Sequence, residues 1–324
     1  MPHAIRVHAT GGPGQLTWET VEVGDPGPGE VRIRQAAAGL NYIDVYHRTG
    51  LYPQPLPFIP GVEGAGTVEA VGEGVTSLKA GDRIAYAGPI GGYAEVRLIS
   101  ADKVVKLPDS IDFDTAAAMM LQGLTVDMLI NRVRPLRAGE TILVHAAAGG
   151  VGLILCQWAA ALGATVIGTV SSDEKAGLAR AHGCHHPIVY TREDFVDAAL
   201  KVTGGEKLPV VYDSVGADTF VRSLDLLQRR GMLVSFGQAS GPVANFAPGL
   251  LAQKGSLYLT RPTLFDYIAT REELETMAAS LFEVVGNGTV KIEIGQRFAL
   301  VDAAEAHRAL EGRKTTGSTV LAIA

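Results

Sequence analysis

Cysteine is scarce in this chain: Cys156 and Cys184 are the two among 324 residues. That scarcity excludes a disulfide framework and a four-cysteine zinc lobe, and it suits a reducing compartment. A basic excess is also missing. The chain carries 28 Lys and Arg against 34 Asp and Glu, a formal net charge of −6, so its field does not favour phosphate backbones or anionic lipid surfaces. The opening MPHAIRVHATGG has no apolar core after a basic start, so no secretory signal is expected and a cytoplasmic protein is. The longest apolar stretch, 141–170, is broken by Gly149, Gly150, Gly152, Gln157 and Gly163, which reads as strand, helix and strand rather than a membrane span. No internal repeat or low-complexity linker is present.

What is there is a compact composition, 47% hydrophobic and 19% charged, in a chain of about two domains at the usual ~100–200 residues each. Residues 1–123 hold short alternating segments, VRIRQAAAG, AGTVEAVG, DRIAYAG and YAEVRLIS, separated by glycine turns. This predicts a mostly antiparallel β domain, a partly open barrel. From 124 to 265 the apolar runs TILVHA, TVIGTV, PIVY, PVVYD and MLVSF alternate with helical segments. That order predicts an α/β region of Rossmann type, a doubly wound parallel sheet covered on both faces. Residues 266–324 add a helix at ELETMAASLFEVV, a strand at IEIGQRF, a helix at DAAEAHRALEG and a strand at STVLAIA. Neither tail strand continues the parallel spacing, so the tail is assigned back to the first domain.

The strand TILVHA runs into Ala146-Ala147-Ala148-Gly149-Gly150-Val151-Gly152 and then a helix. In a dinucleotide turn the second glycine admits the pyrophosphate to the backbone, the third lets helix and strand pack closely, and the helix start supplies amide donors. Gly149 and Gly152 fill those two places and Ala147 the first. After the next strand come Ser171, Ser172, Asp173, Glu174 and Lys175. The serine hydroxyls and Lys175 can hold the extra phosphate of NADPH, with Asp173 and Glu174 pointing outward, although the same residues also make an ordinary helix cap. AHGCHHP gathers His182, Cys184, His185 and His186 in a way that invites zinc, but Gly183 reads as a helix end and Pro187 as a strand opening. No metal site is expected.

HAAAGGVGLILCQWAAALGA, GLNYIDVYHRTGLYP, VYDSVG, LQRRGMLVSFGQASG, QKGSLYLTRP and GRKTTGSTV together resemble the zeta-crystallin-like NADPH:quinone oxidoreductases of the zinc-independent medium-chain dehydrogenase/reductase superfamily. The resemblance spans essentially the whole chain. It implies a GroES-like catalytic domain of β-barrel type beside the NADPH-binding domain. Zinc-containing relatives carry a Gly-His-Glu where this chain has Gly61-Val62-Glu63, so Val62 stands at the place of the histidine ligand. By position, Asn41, Tyr46, Tyr52, Gln122 and Arg261 are implied to line the acceptor pocket. Ile43, Asp44, Thr125, Met128, Gly150, Val151, Ser171 and Lys175 are implied to contact the cofactor. Tyr190, Ser214, Phe236, Gln238 and Arg313 are implied to do so as well.

The expected chemistry is transfer of a hydride or electrons from NADPH, without metal, to a quinone or similar electron-poor acceptor lying between the domains. Donors near the acceptor stabilise the charge that grows on its oxygen. Reduction of an enal or enone C=C bond is the alternative, and it would want a tyrosine as proton donor. Some members of the resembled family also bind single-stranded RNA. Here the basic clusters Arg229-Arg230 and Arg132/Arg134/Arg137 are short, so no nucleic-acid partner is expected. A homodimer is, through GSLYLTR as an edge strand pairing with its twin.

Overall fold

The computed structural model describes residues 1–323. In chain order the first elements are β1 (His3–Val7), β2 (Leu16–Thr20), β3 (Glu30–Leu40), α1 (Tyr42–Thr49), β4 (Glu63–Val71), β5 (Arg83–Ala87), β6 (Val96–Ser100), β7 (Val105–Lys106), α2 (Phe113–Ala117) and α3 (Met120–Asp127). A π-helical turn, Met128–Val133, follows. Then come β8 (Thr141–Val144), α4 (Gly150–Ala161), β9 (Thr165–Val170), α5 (Asp173–Ala181), β10 (His186–Val189), α6 (Phe195–Val202), β11 (Leu208–Asp213), α7 (Phe220–Ser223), β12 (Leu227–Ser235), α8 (Gly249–Gln253) and β13 (Tyr258–Thr260). The chain closes with α9 (Leu264–Tyr267), α10 (Arg271–Gly286), β14 (Ile294–Ala299), α11 (Ala303–Glu311) and β15 (Ser318–Ala322). No helix among the described residues is long and apolar enough to cross a membrane.

Two compact units result. The first comprises Met1–Leu124, Tyr267–Gly286 and the described residues from Ile292 onward. Its larger sheet has the order β14-β15-β3-β4-β5-β7 with β6 also on β3, antiparallel throughout except for β14 beside β15. The central strand β3 explains itself by period two. Val31 and Ile33 are fully buried, while Arg32 and Arg34 turn outward and share Glu69 of β4 at 2.9 and 2.6 Å.

The second unit comprises Thr125–Asp266 and Asn287–Lys291. Lys291 is tied to α4 by both its backbone groups, which bond the Gln157 amide at 2.9 and 3.0 Å. The sheet is six-stranded and parallel in the order β10-β9-β8-β11-β12-β13. Its strands are apolar at consecutive positions because both faces are covered. Leu143, Ile167, Val211 and Leu233 pack on one side with Phe195, Phe220 and Leu224, while the alternate residues Ile142, Val144, Val166, Val210 and Val234 are equally buried.

The strand order reverses between β8 and β11, which opens a crevice at the carboxyl ends of these strands. The turn after β8 reaches that crevice by lying on β9. Ala147 N donates to Thr169 O at 3.0 Å, and a Cβ placed on Gly168 would sit 2.5 Å from Ala147 Cβ and 2.6 Å from Cys184 Sγ. Gly168→Ala is therefore expected to destabilise the protein by about 1–3 kcal/mol, read as a lower midpoint of thermal unfolding. Gly177→Ala in α5, where an added Cβ meets nothing within 4 Å, is the control and should be neutral or stabilising.

Candidate functional site

The turn leaving β8 is drawn tight. Ala146 takes a left-handed φ of 54°, Gly149 caps α4 in an extended conformation, and Gly149 N bonds back to Ala146 O at 3.0 Å. The helical ladder starts with Leu153 N to Gly149 O at 2.9 Å, so the amides of Gly150, Val151 and Gly152 precede it at the positive end of the helix dipole. Gly152 must lack a side chain, since its Cβ would lie 2.3 Å from Ala146 O and 2.8 Å from Ala147 Cα. Three amides converging at a helix start make an anion site.

Two further loops meet at the same strand ends. Buried Asp213, the last residue of β11, accepts from Val215 N at 2.8 Å, Gly216 N at 3.2 Å and Thr219 Oγ1 at 2.9 Å, which fixes Ser214 between them. Phe236 N donates to Asp213 O at 2.8 Å and Ala239 N to Ser214 O at 3.2 Å, bringing Phe236 and Gln238 to the Ser214 loop. A cavity of about 230 Å³ opens here between Phe220, Ser235, Gln238, Leu259 and Arg261, and Arg261 donates to Ser235 O at 2.9 Å. It is smaller than the ~300–1,000 Å³ of small-molecule pockets.

At the end of β9, Ser172 is the residue that caps α5, its Oγ accepting from Lys175 N at 3.3 Å, which leaves Ser171 uncommitted to the cap. Tyr190, exposed beyond β10, donates its amide to Val170 O at 3.1 Å. Asp173 does not simply point to water. Arg192 grips both its oxygens at 2.6 Å, holding the carboxyl below and raising the guanidinium above their ordinary values. The residues of AHGCHHP take separate tasks: His182 Nδ1 faces Leu178 O at 2.9 Å, His185 Nδ1 accepts from Val166 N at 3.0 Å, and Cys184 is buried beside Cys156. Among the described residues, no three His, Cys, Asp or Glu are grouped to hold a metal ion.

In the first unit the predicted pocket residues form a chain of side-chain amides. Ser318 Oγ reaches Gln122 Oε1 at 2.7 Å, Gln122 Nε2 donates to Asn41 Oδ1 at 3.1 Å, and Asn41 Nδ2 donates to Glu63 Oε2 at 2.7 Å. Tyr46 and Tyr52 meet edge to face at 5.1 Å between ring centres. Arg313, left-handed at φ 56° after α11, lies near Tyr42 and opposes the rise that burial gives the Tyr42 phenol. Ile43 is half-buried on α1 and Thr125 half-buried at the end of α3.

Two of the residues expected to contact the cofactor are enclosed. Asp44 is 0% and Met128 1% exposed. Asp44 accepts from Asn41 N at 2.9 Å and Tyr93 Oη at 3.0 Å, fastening the start of α1. Met128 begins the π-helical turn, which Asp127 braces by accepting from Asn131 and Arg132. Asp213, Arg192 and Glu63 were not among the expected residues. Their positions after the apolar run PVVYD, past PIVY, and beside Val62 carry no local signal of their partners.

Burial raises Glu63 from 4.5 to about 8 and Asp44 from 3.8 to about 7, against the opposing effect of their hydrogen bonds. Glu63 therefore stays largely and Asp44 about half protonated at neutral pH in the fold, whereas the unfolded chain has already released those protons. The stability they contribute is complete below pH 4.5 for Glu63 and is lost as pH rises through about 8. Burial, with Arg48 adding to it, likewise holds His307 neutral, down to about 3. Glu63→Gln removes one titrating group, so its unfolding free energy should fall less steeply between pH 5 and 8 than the parent's. The difference in slope is at most about 1.4 kcal/mol per pH unit, measurable by denaturant titration at four pH values.

Comparison with known proteins gives these geometries a family. The model for the alcohol dehydrogenase GroES-like domain matches residues 27–109, and that for the zinc-binding dehydrogenase matches 150–283. A quinone oxidoreductase of Pseudomonas aeruginosa is 56% identical over 99% of both chains, and a 2-haloacrylate reductase of a Burkholderia species is 44% identical over 99% of both. The crystal structure of an Escherichia coli quinone oxidoreductase complexed with NADPH superimposes with a TM-score of 0.97, at 48% identity and 99% coverage of each chain. By full-length similarity and by both of its domain models, the chain belongs to the quinone oxidoreductase family of the medium-chain dehydrogenase/reductase superfamily.

Proposed function

We propose that this protein is an NADPH-dependent quinone reductase whose second unit carries the dinucleotide and whose first unit presents donors to the acceptor. The observation that carries the reading is the Ala146–Gly152 turn at the β8/β11 switch point, with its three amides ahead of the α4 ladder. Gly149, Gly150, Val151 and Gly152 take the pyrophosphate; Ser171 and Lys175 take the ribose phosphate; Tyr190 flanks the adenosine. Ser214, Phe236 and Gln238 line the inner part, with Thr125, Ile43 and Arg313 as outer contacts. NADPH supplies the reducing hydride when bound.

The remaining work belongs to side chains. Asn41 spends its Oδ1 on Gln122 and one Nδ2 hydrogen on Glu63, so its second amide hydrogen is fixed in direction as a donor. Tyr46 and Tyr52 brace each other and offer phenols, and Arg261 offers a guanidinium. Such prearranged donors stabilise negative charge growing on a quinone oxygen without reorganising. Reduction of an electron-poor C=C bond is the second reading, favoured by the 44% identity to a 2-haloacrylate reductase. We further propose a cytoplasmic homodimer. β13 is an edge strand with Tyr258 57% exposed, and an open edge is stabilised by pairing with its copy.

Cofactor oxidation across benzoquinones, naphthoquinones, enones and 2-haloacrylates tests the reading. Quinones are expected to turn over fastest, with NADPH preferred to NADH; faster reduction of the alkenes would install the second reading. Lys175→Ala should raise the KM for NADPH about tenfold or more and leave that for NADH nearly unchanged. Full activity in Tyr52→Phe would remove that phenol from the mechanism.

A further inference from the structure

In dinucleotide folds an acid just past the second strand binds the ribose hydroxyls and repels a 2′-phosphate. Asp173 stands at that place, which argues against the NADPH reading unless its charge is answered. Arg192 answers it. The guanidinium comes from the loop after β10 and meets the carboxylate fork to fork, Nη1 to Oδ2 and Nη2 to Oδ1, both at 2.6 Å. The two loops are stitched together beneath the pair, Thr191 Oγ1 donating to Ser171 O at 3.1 Å and Tyr190 N to Val170 O at 3.1 Å. Arg192 is thereby held over the same segment that carries Ser171 and Lys175.

We propose that Arg192 is a specificity-determining residue for the 2′-phosphate of the cofactor, and that Asp173 is the counter-ion it exchanges for that phosphate. The inference rests on the NADPH reading and sharpens it. In the free protein both forks are spent on each other, so the charge of Asp173 is answered by Arg192 and each of its oxygens already accepts one bond. The side chains are 61% and 73% exposed, which makes the pair weakly held and open to exchange. A phosphate offers more charge and more acceptor oxygens to a planar guanidinium than a carboxylate does. Arrival of the 2′-phosphate draws Arg192 away, and the released Asp173, at the opening of α5, is solvated. A cofactor lacking the phosphate has nothing with which to draw it.

The consequence is a reversal. Without Arg192, an unanswered Asp173 faces the ribose, which disfavours phosphate and favours hydroxyls. Calorimetric titration of the whole chain with 2′,5′-ADP and with 5′-AMP reads this without involving the nicotinamide or the acceptor. The parent should prefer 2′,5′-ADP. Arg192→Ala should weaken 2′,5′-ADP about tenfold or more while 5′-AMP binds as before or tighter. Asp173→Ala should tighten 2′,5′-ADP, and Asp173→Ala/Arg192→Ala should recover part of the loss. If Arg192→Ala weakens both ligands equally, or keeps the parent's ratio within about threefold, the residue merely ties two loops and the proposal is overturned. A parent that does not prefer 2′,5′-ADP overturns the NADPH reading and this inference together.

Discussion

The structure depends most on a contact that only small residues permit. Ala147 Cβ rests where a side chain on Gly168 would be, and the start of α4 closes onto the Ala146 carbonyl at a distance that excludes a Cβ on Gly152. These two approaches set how far the β8 turn protrudes past the sheet. Interiors are close-packed and resist small intrusions, so a methyl group at either place displaces the turn, and the three amides of α4 with it. The left-handed Ala146, φ 54°, is the conformational cost of that tightness.

The two units solve their polar problems differently. In the second, backbone groups make the anion site, and one buried carboxylate, Asp213, holds the neighbouring loop by accepting two amides and a hydroxyl. In the first, Asp44 and Glu63 are fully enclosed, and burial outweighs the several hydrogen bonds each accepts. Glu63 is largely and Asp44 about half protonated at neutral pH, and the two orient Asn41 and the start of α1. A protonated acid is tolerable inside where an ionised one is not, and the resulting amide chain from Ser318 to Glu63 leaves Asn41 no freedom to turn.

Surface electrostatics complete the cofactor argument. Ser171 and Lys175 were readable as a cationic, hydroxyl-bearing ribose site, while Asp173 among them read as a bystander. Its pairing with Arg192 joins residues 19 apart, contributed by the ends of different strands. The acid is compatible with a phosphate because of a partner that its own segment does not contain.

Periodicity alone determined the α/β class, the alternation of β8 to β12 with their helices, the β3–β6 segments, and the glycine turn with its dinucleotide reading. Each follows from local rules: period two for half-buried strands, continuous apolar runs for strands buried on both faces, glycine where chains approach. Tertiary structure decided what depends on partners remote in sequence. It enclosed Asp44 and Met128. It made Ser172 rather than Ser171 the cap of α5, joined Asn41 to Gln122 across 81 residues, and dispersed the histidines of AHGCHHP among separate bonds. Burial and ion pairing are properties of the assembled surroundings, so a side chain's charge state and reach are written only when the strands that surround it are in place.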